Sequence, residues 1–418
     1  MNYAKDLITF IDAAPTMFQA TAEAKKRLDE AGFTELSLTK LWTLKEKEGY
    51  YLSFNDSCLI AFRVGTRDLL GFHLIGAHTD SPLLKLKPAP IIHCQGYTKL
   101  NIEVYGGPLL STWFDRPLSL AGRVILDKKT PQSLPVDLKK ELLIIPSLAI
   151  HLSRDKKEEI NPQKELLPLF SGQELTEESL LELLAENLPC KKEEILDYEL
   201  YCYPVEKGCF LGKEGEFISI GRLDNLGMCH AGLQALIQAK AGEKTQVLAL
   251  FDNEEVGSQT AQGAGSGLLR NVLQKISLSR KLSQEEHLCR IYDSFMLSCD
   301  QAHGVHPNYE EKSDPTNRPK LGGGPVIKLS AKKAYTSDAL GVALCKKLCA
   351  ENKIPYQSFV NRSDMRGGST IGPISEGQTS IKGMDLGLAV LGMHSTRELQ
   401  AAKDQEYFIR LLRAFLEQ

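Results

Sequence analysis

The chain has 418 residues, with 50 Lys+Arg against 53 Asp+Glu for a net charge of −3, and is 42% apolar and 25% charged. That balance excludes a general nucleic-acid binder, which carries a basic excess, and offers no attraction to a polyanion or a membrane surface. A chain this long buries a large core without metal or disulfide staples, so a metal site in it would serve chemistry.

The first 32 residues read as helix, broken at Pro15 and stopped at Gly32, without the basic segment and long apolar run of a signal peptide. Residues 50–64 (YYLSFNDSCLIAFRV) predict a hairpin around Asn55-Asp56, and 69–76 (LLGFHLIG) a buried strand running into AHTDSP. From about residue 91 the character changes. Short β-like runs at 100–105, 118–126 and 142–145 alternate with Gly/Pro turns. A charged stretch at 154–165 reads as a surface loop, and a helix at 176–187 starts from Thr176 as N-cap. This pattern predicts a β-rich domain, residues 92–203, inserted into an α/β domain formed by residues 1–91 plus 204–418. The α/β pattern then resumes. A helix opens at Arg222-Leu223-Asp224-Asn225, and a strand at 246–251 (QVLALF) leads into Asp252-Asn253-Glu254-Glu255. A capping box starts a helix at Ser283, a strand at 295–299 ends in Asp300, and 337–352 is helical. A strand at 386–392 (LGLAVLG) ends in Met393-His394-Ser395. The last helix, 404–417, buries Tyr407, Phe408, Leu411, Leu412, Phe415 and Leu416 on one face. No stretch reaches the roughly 18 apolar residues of a membrane span. Ten scattered cysteines without a CxxC pair read as reduced thiols of a cytoplasmic protein.

Four apolar strands therefore end in groups that bind divalent metals: His78, Glu254/Glu255, Asp300 and His394, with Asp224 at the head of a helix. Open α/β sheets bind ligands outside the carboxyl ends of their strands, so these groups should converge on one edge. Two histidines and three carboxylates suit zinc, and also cobalt or manganese. Five groups exceed one tetrahedral ion with an open position and fit two ions about 3.5–4 Å apart sharing a carboxylate. Singly the signals are weak: an HxD as readily marks a structural histidine, and an acidic pair in a loop is usually solvated. Their joint placement carries the argument. Asp80 could fix the far nitrogen of His78. Of Glu254 and Glu255, one would bind metal and the other accept a proton. No GxSxG elbow and no GxxxxGK[ST] loop occurs, which disfavours serine hydrolases and P-loop enzymes.

The stretches GAHTDSP (76–82), NIEVYGGPLLSTWFDRPLSLAGRV (101–124), LAIHL (148–152), GRLDN (221–225), FDNEEVGS (251–258), SCDQAHGVHPNY (298–309), GGPVIK (323–328) and MHS (393–395) resemble, in order and over nearly the whole chain, the aspartyl aminopeptidase family, which includes the vacuolar aminopeptidase I type. The resemblance implies a zinc-peptidase α/β/α sandwich, a mixed sheet flanked by helices, interrupted by a smaller β-rich dimerisation domain. It implies two zinc ions bridged by Asp224, one completed by His78 and Asp300 and the other by Glu255 and His394. Glu254 would be the general base and Asp80 the orienting partner of His78. It further implies a tetrahedral dodecamer in which His151 reaches a neighbouring subunit's active site. Lys328 would contact an acidic first residue of the substrate. His303 and His306 fall just past Asp300, where Gly304 and Pro307 argue against a helical metal pair; His306 is placed near the substrate. The implied activity is removal of N-terminal residues from peptides, with Asp or Glu favoured. The alternatives are a broad-specificity or neutral-residue aminopeptidase of the same fold and, in another class, a non-catalytic assembly or cargo protein. The last predicts a lost ligand or base, yet all six groups are present.

Overall fold

The computed structural model describes residues 2–152, 159–365 and 367–418. Of the charged stretch expected as a surface loop, residues 154–158 lie outside the described residues, while Pro162–Glu165 forms a helical turn capped by Asn161. Three sheets organise the chain.

The largest has nine strands, in the order Thr34–Glu35, Gly49–Phe54, Cys58–Arg63, Thr245–Phe251, Phe72–His78, Phe295–Cys299, Lys382–Gly387, Val326–Lys328 and Gln357–Phe359. The hairpin at its edge turns through Asn55 and Asp56, both at positive φ. The central four strands, Thr245–Phe251 to Lys382–Gly387, run parallel, which brings their carboxyl ends to one edge. Both faces are covered, and alternate residues separate between two cores. Ile75, Ala77, Leu248 and Leu250 pack with the helices Tyr3–Asp12, Leu223–Gln238, Ala339–Glu351 and Ala402–Leu416. Phe72, Leu74, Val247 and Ala249 pack with the helices Leu268–Ser279 and Ile371–Thr379. The C-terminal helix buries Phe408, Leu411, Leu412, Phe415 and Leu416, while Tyr407 is only half-buried. Each fully buried side chain of this kind contributes roughly 1.5–3 kcal/mol.

The second sheet is antiparallel and carries its own core: Gln132–Asp137, Leu118–Leu126, Ile195–Pro204, Leu83–Cys94, Tyr97–Tyr105 and Leu169–Ser171. The boundary expected at residues 91/92 falls inside the strand Leu83–Cys94. Pro88 and Pro90 look like a break in the sequence, but the pairing with Tyr97–Tyr105 is irregular between Leu86 and Ile91, and that irregularity accommodates them. The run at 142–145 makes isolated bridges from Leu143 and Ile144 rather than a strand. The helix Glu177–Glu186 starts after Thr176, as its capping pattern predicts.

The third sheet is small: Cys209–Leu211, Phe217–Ile220, Glu398–Ala401, Ala389–Leu391 and Ala302–His303. It corrects the strand expected at 386–392. Lys382–Gly387 belongs to the large sheet and Ala389–Leu391 to the small one, with Leu388 between them. The cause is a change of neighbour: Val326–Lys328 pairs with residues 386–387, whereas Glu398–Ala401 takes over at 390–391. Asp300 sits at this crossing, its N–H donating to the Leu386 carbonyl. A Cβ at Gly387 would lie 1.9 Å from the Asp300 carbonyl oxygen, so only glycine permits the approach. All ten cysteines are free. Among the described residues no helix is long and apolar enough to cross a membrane.

Candidate metal centre

The large and small sheets meet at one cleft. From the large sheet come His78, the last residue of its strand, Glu254 and Glu255 in the turn after Thr245–Phe251, and Asp300 after Phe295–Cys299. From the small sheet come Asp224, just past Phe217–Ile220, and His394, just past Ala389–Leu391. Asp224 does not lie on regular helix. Arg222 has φ +63°, and Asp224 and Asn225 depart from helical dihedrals before the helix proper continues.

These side chains converge into two overlapping groups, His78–Asp224–Asp300 and Asp224–Glu255–His394, each with potential ligand atoms within 4.8 Å of one another. His78 Nε2 lies 3.6 Å from Asp224 Oδ1 and 3.7 Å from Asp300 Oδ1. His394 Nε2 lies 3.7 Å from Asp224 Oδ2 and 3.4 Å from Glu255 Oε1. Asp224 thus faces one histidine with each oxygen, and its buried Oδ1 has no hydrogen-bond partner. A carboxylate oxygen orphaned in this way, among four carboxylates facing one lysine, is what a divalent cation would satisfy. The residues present fit such an ion.

Both imidazoles are fixed from behind. His78 Nδ1 lies 3.1 Å from the Asp80 carbonyl oxygen and 3.2 Å from its carboxylate. His394 Nδ1 lies 2.9 Å from the Gly107 carbonyl oxygen. A carbonyl only accepts, so each Nδ1 donates its proton backwards and each Nε2 is the nitrogen turned to the cleft. Asp80 also accepts from the backbone N–H groups of Glu254 and Glu255 and from the Tyr105 hydroxyl at 2.8 Å. One buried carboxylate thereby orients His78 and the acidic turn together. The neighbouring Gly106 stands at φ +73°, and a Cβ there would come 3.1 Å from Glu255 Cβ. The end of the strand Tyr97–Tyr105 therefore packs directly against the centre.

Electrostatics follow the crowding. Burial lifts Glu254 to about 7, with Asp300, Asp224 and Asp80 adding to the rise against the opposing pull of His78. Burial, then Asp224, raises Glu255. Burial works against a charged His394, but Asp224 and Glu255 outweigh it and lift the ring to about 10. Asp300 is held low despite its burial, chiefly by Lys328.

Lys328 is buried and lines the cleft, where its ammonium donates to Asp300 Oδ2 at 3.0 Å and the Gln301 carbonyl at 2.8 Å. The cleft, about 220 Å³, is also lined by His303, Tyr335, Phe359 and Met393. His303, expected from sequence in a supporting or structural role just past Asp300, is the histidine of its pair that reaches the cleft. His306 lines an adjoining cavity and packs on Tyr309. His151 lies on the exposed turn Ile150–Leu152 and is not among the cleft residues. Sequence reasoning also missed Glu398, a buried acid whose carboxylate binds the backbone of Asp224 and His394. A lone Glu in Ser-Thr-Arg-Glu-Leu carries no signal for that.

Comparison with known proteins places this centre in a family. Residues 10–416 match the family described as aminopeptidase I zinc metalloprotease (M18). The chain is 46% identical over 418 aligned residues, 97% of this chain and 96% of the relative, to the probable M18 family aminopeptidase 2 of Clostridium acetobutylicum. Its fold is similar to a chain in the cryo-EM structure of the Ape4 and Nbr1 complex, with TM-score 0.94, 36% identity, and 99% of this chain and 85% of that one covered. It is also similar to the S. cerevisiae mApe1 dodecamer, with TM-score 0.86, 27% identity, and 99% and 95% covered. The chain belongs to the M18 family and is a zinc metalloaminopeptidase, a hydrolase.

Proposed function

We propose that this aminopeptidase works with two divalent ions, zinc by family and cobalt or manganese by the chemistry of the donors. His78, Asp224 and Asp300 would hold one, and Asp224, Glu255 and His394 the other. The observation that carries this reading is Asp224, shared by both groups with one oxygen toward each histidine. When bound, the pair would engage the free α-amine, polarise the first peptide carbonyl and lower the pKa of an attacking water.

The remaining work falls to side chains. Glu254 belongs to neither group, and its Oε2 lies 3.9 Å from His78 Nε2. It is the group free to take the proton of the attacking water and pass it to the leaving amine. Asp80 keeps His78 and the Glu254–Glu255 turn in register. His151 acts from a second subunit as a donor to the developing oxyanion. Its turn is flanked by Leu148, Ile150 and Leu152, exposed by 64%, 75% and 73%, as expected of a segment covered on assembly. The likeness to the mApe1 dodecamer supports a tetrahedral dodecamer, with the antiparallel sheet as the dimerisation domain. The substrates are peptides with a free N-terminus, met in the cytoplasm.

Acidic first residues are favoured through Lys328, a buried cation in the cleft wall, because an acidic side chain adds an attraction to the ammonium beyond its pairing with Asp300 that an apolar one cannot make. His306, lining the adjoining cavity, would contact residues further along the peptide. The test is hydrolysis of aspartyl, glutamyl and leucyl p-nitroanilides with and without chelator. Chelator-sensitive turnover with Asp or Glu ahead of Leu is expected. Leucyl turnover ahead of both would replace the acidic preference with the broad-specificity reading. One ion per active chain would sink the two-ion centre.

A further inference from the structure

Asp224 and His394 reach the cleft from turns, and the small sheet shows what holds those turns. Its middle strand, Glu398–Ala401, pairs with Phe217–Ile220 on one side and Ala389–Leu391 on the other. The segments leaving these two flanking strands carry Asp224 and His394. Glu398, the first residue of the middle strand, stands between them and is 1% exposed. Its Oε2 accepts from the Asp224 backbone N–H at 3.1 Å and its Oε1 from the His394 backbone N–H at 2.9 Å. Neither bond uses the Asp224 carboxylate or the His394 ring, so both remain directed at the cleft.

A buried carboxylate is costly unless it is paired and hydrogen-bonded, so an acid here calls for a reason. Two further observations supply one. His394 sits at φ +66°, a left-handed conformation that a histidine holds only when its surroundings fix it. The Asp224 carbonyl accepts from Ser81 Oγ at 2.8 Å, so Glu398 completes the restraint of that residue on its N–H side.

We infer that Glu398 is a positioning residue that ties the backbones of Asp224 and His394 into one unit and thereby sets the Asp224–Glu255–His394 ion site separately from the His78–Asp300 side. The inference rests on the two-ion reading and deepens it. Glu398 touches neither substrate nor reacting atoms; it acts through two backbone amides that need two acceptors. Glutamine keeps the size but presents one N–H₂ to a backbone N–H. Aspartate keeps the charge but is too short to bridge both.

The experiment is a cobalt(II) absorption titration and a zinc competition with chelator on wild type, Glu398→Gln and Glu398→Asp, with Tm and kcat and KM measured in parallel. Glu398→Gln should weaken one of the two ions by about 10–100-fold and leave the other at its wild-type affinity. Its kcat should fall with KM little changed, and Glu398→Asp should recover part of both losses. Wild-type affinity for both ions in both variants would overturn the inference. So would equal weakening of both ions accompanied by a lowered Tm, which marks a general structural role. If wild type takes up only one ion, the two-ion reading falls by itself. The separation of two sites falls with it, and the tie between Asp224 and His394 then stands if Glu398→Gln weakens that ion and falls if it does not.

Discussion

The large and small sheets contribute to one centre by different means. On the large-sheet side, His78 closes a fully buried parallel strand, and Asp300 follows directly on the next strand of the same kind. Their positions derive from a sheet locked between two cores. On the small-sheet side, strands of three and four residues lead into turns, and His394 adopts a left-handed conformation. There the placement derives from hydrogen bonds to individual polar side chains rather than from bulk packing. A ligand at a parallel-sheet edge thus takes its place first from packing, whereas a turn-borne ligand takes its place first from hydrogen bonds.

Asp224 is where the two sides meet, so its loss should be the most severe. Asp224→Ala is expected to weaken both ions and remove detectable turnover, as metal analysis and rate assays would show. Loss of one ion only would break the sharing of that carboxylate. Glu254→Gln should lower kcat by roughly 10²–10⁴-fold with metal content unchanged. If it emptied the centre instead, Glu254 would be a ligand and the base would lie elsewhere. Asp80→Asn should act through both His78 and the Glu254–Glu255 turn, costing roughly 10–100-fold in activity or in affinity for the ion at His78 and less for the ion at His394. Equal loss at the His394 side would show that the two sides are not separately supported.

Lys328→Ala should reduce the ratio of aspartyl to leucyl kcat/KM by roughly tenfold, the worth of one charge-assisted contact. The ratio is the useful quantity because unpairing Asp300 will slow both substrates. An unchanged ratio would remove Lys328 from specificity. A separate effect concerns stability within the large sheet. Burial, more than the nearby Lys244, lowers His73 from 6.5 to about 4 as its ring packs on Phe415. The unfolded chain therefore binds this proton more readily, and stability falls as pH drops through the interval between those values. Between pH 7.5 and pH 5 the loss is about 2 kcal/mol. A His73→Leu variant should show a flatter dependence of its urea midpoint over that range; an equal dependence would clear His73.

How much could be read from sequence follows the same division. The large-sheet strands that end at His78, Phe251 and Cys299 were legible because each is a short apolar run with a metal-binding group at or just past its end, and parallel topology sends those ends to one edge. The final helix was legible from its spacing. The split at Leu388 was not, because LGLAVLG is equally apolar whichever sheet it joins; only the partner strands decide. The start of the antiparallel sheet at Leu83 was hidden by Pro88 and Pro90, which an irregular stretch of pairing absorbs. Asp224 and His394 gained weight from company and resemblance rather than from periodicity. Glu398 was invisible because its role depends on contacts between segments far apart in the chain, and His303 was seen just past Asp300 but not as a cleft-lining residue.

The turn at Gly106-Gly107 has a consequence for the order of events during synthesis. It packs on Glu255 and receives the His394 ring, and His394 and Glu398 emerge from the ribosome after every other group of the centre. Until they do, the Asp224–Glu255–His394 group lacks its only imidazole, and the centre is incomplete in all but the last stretch of synthesis.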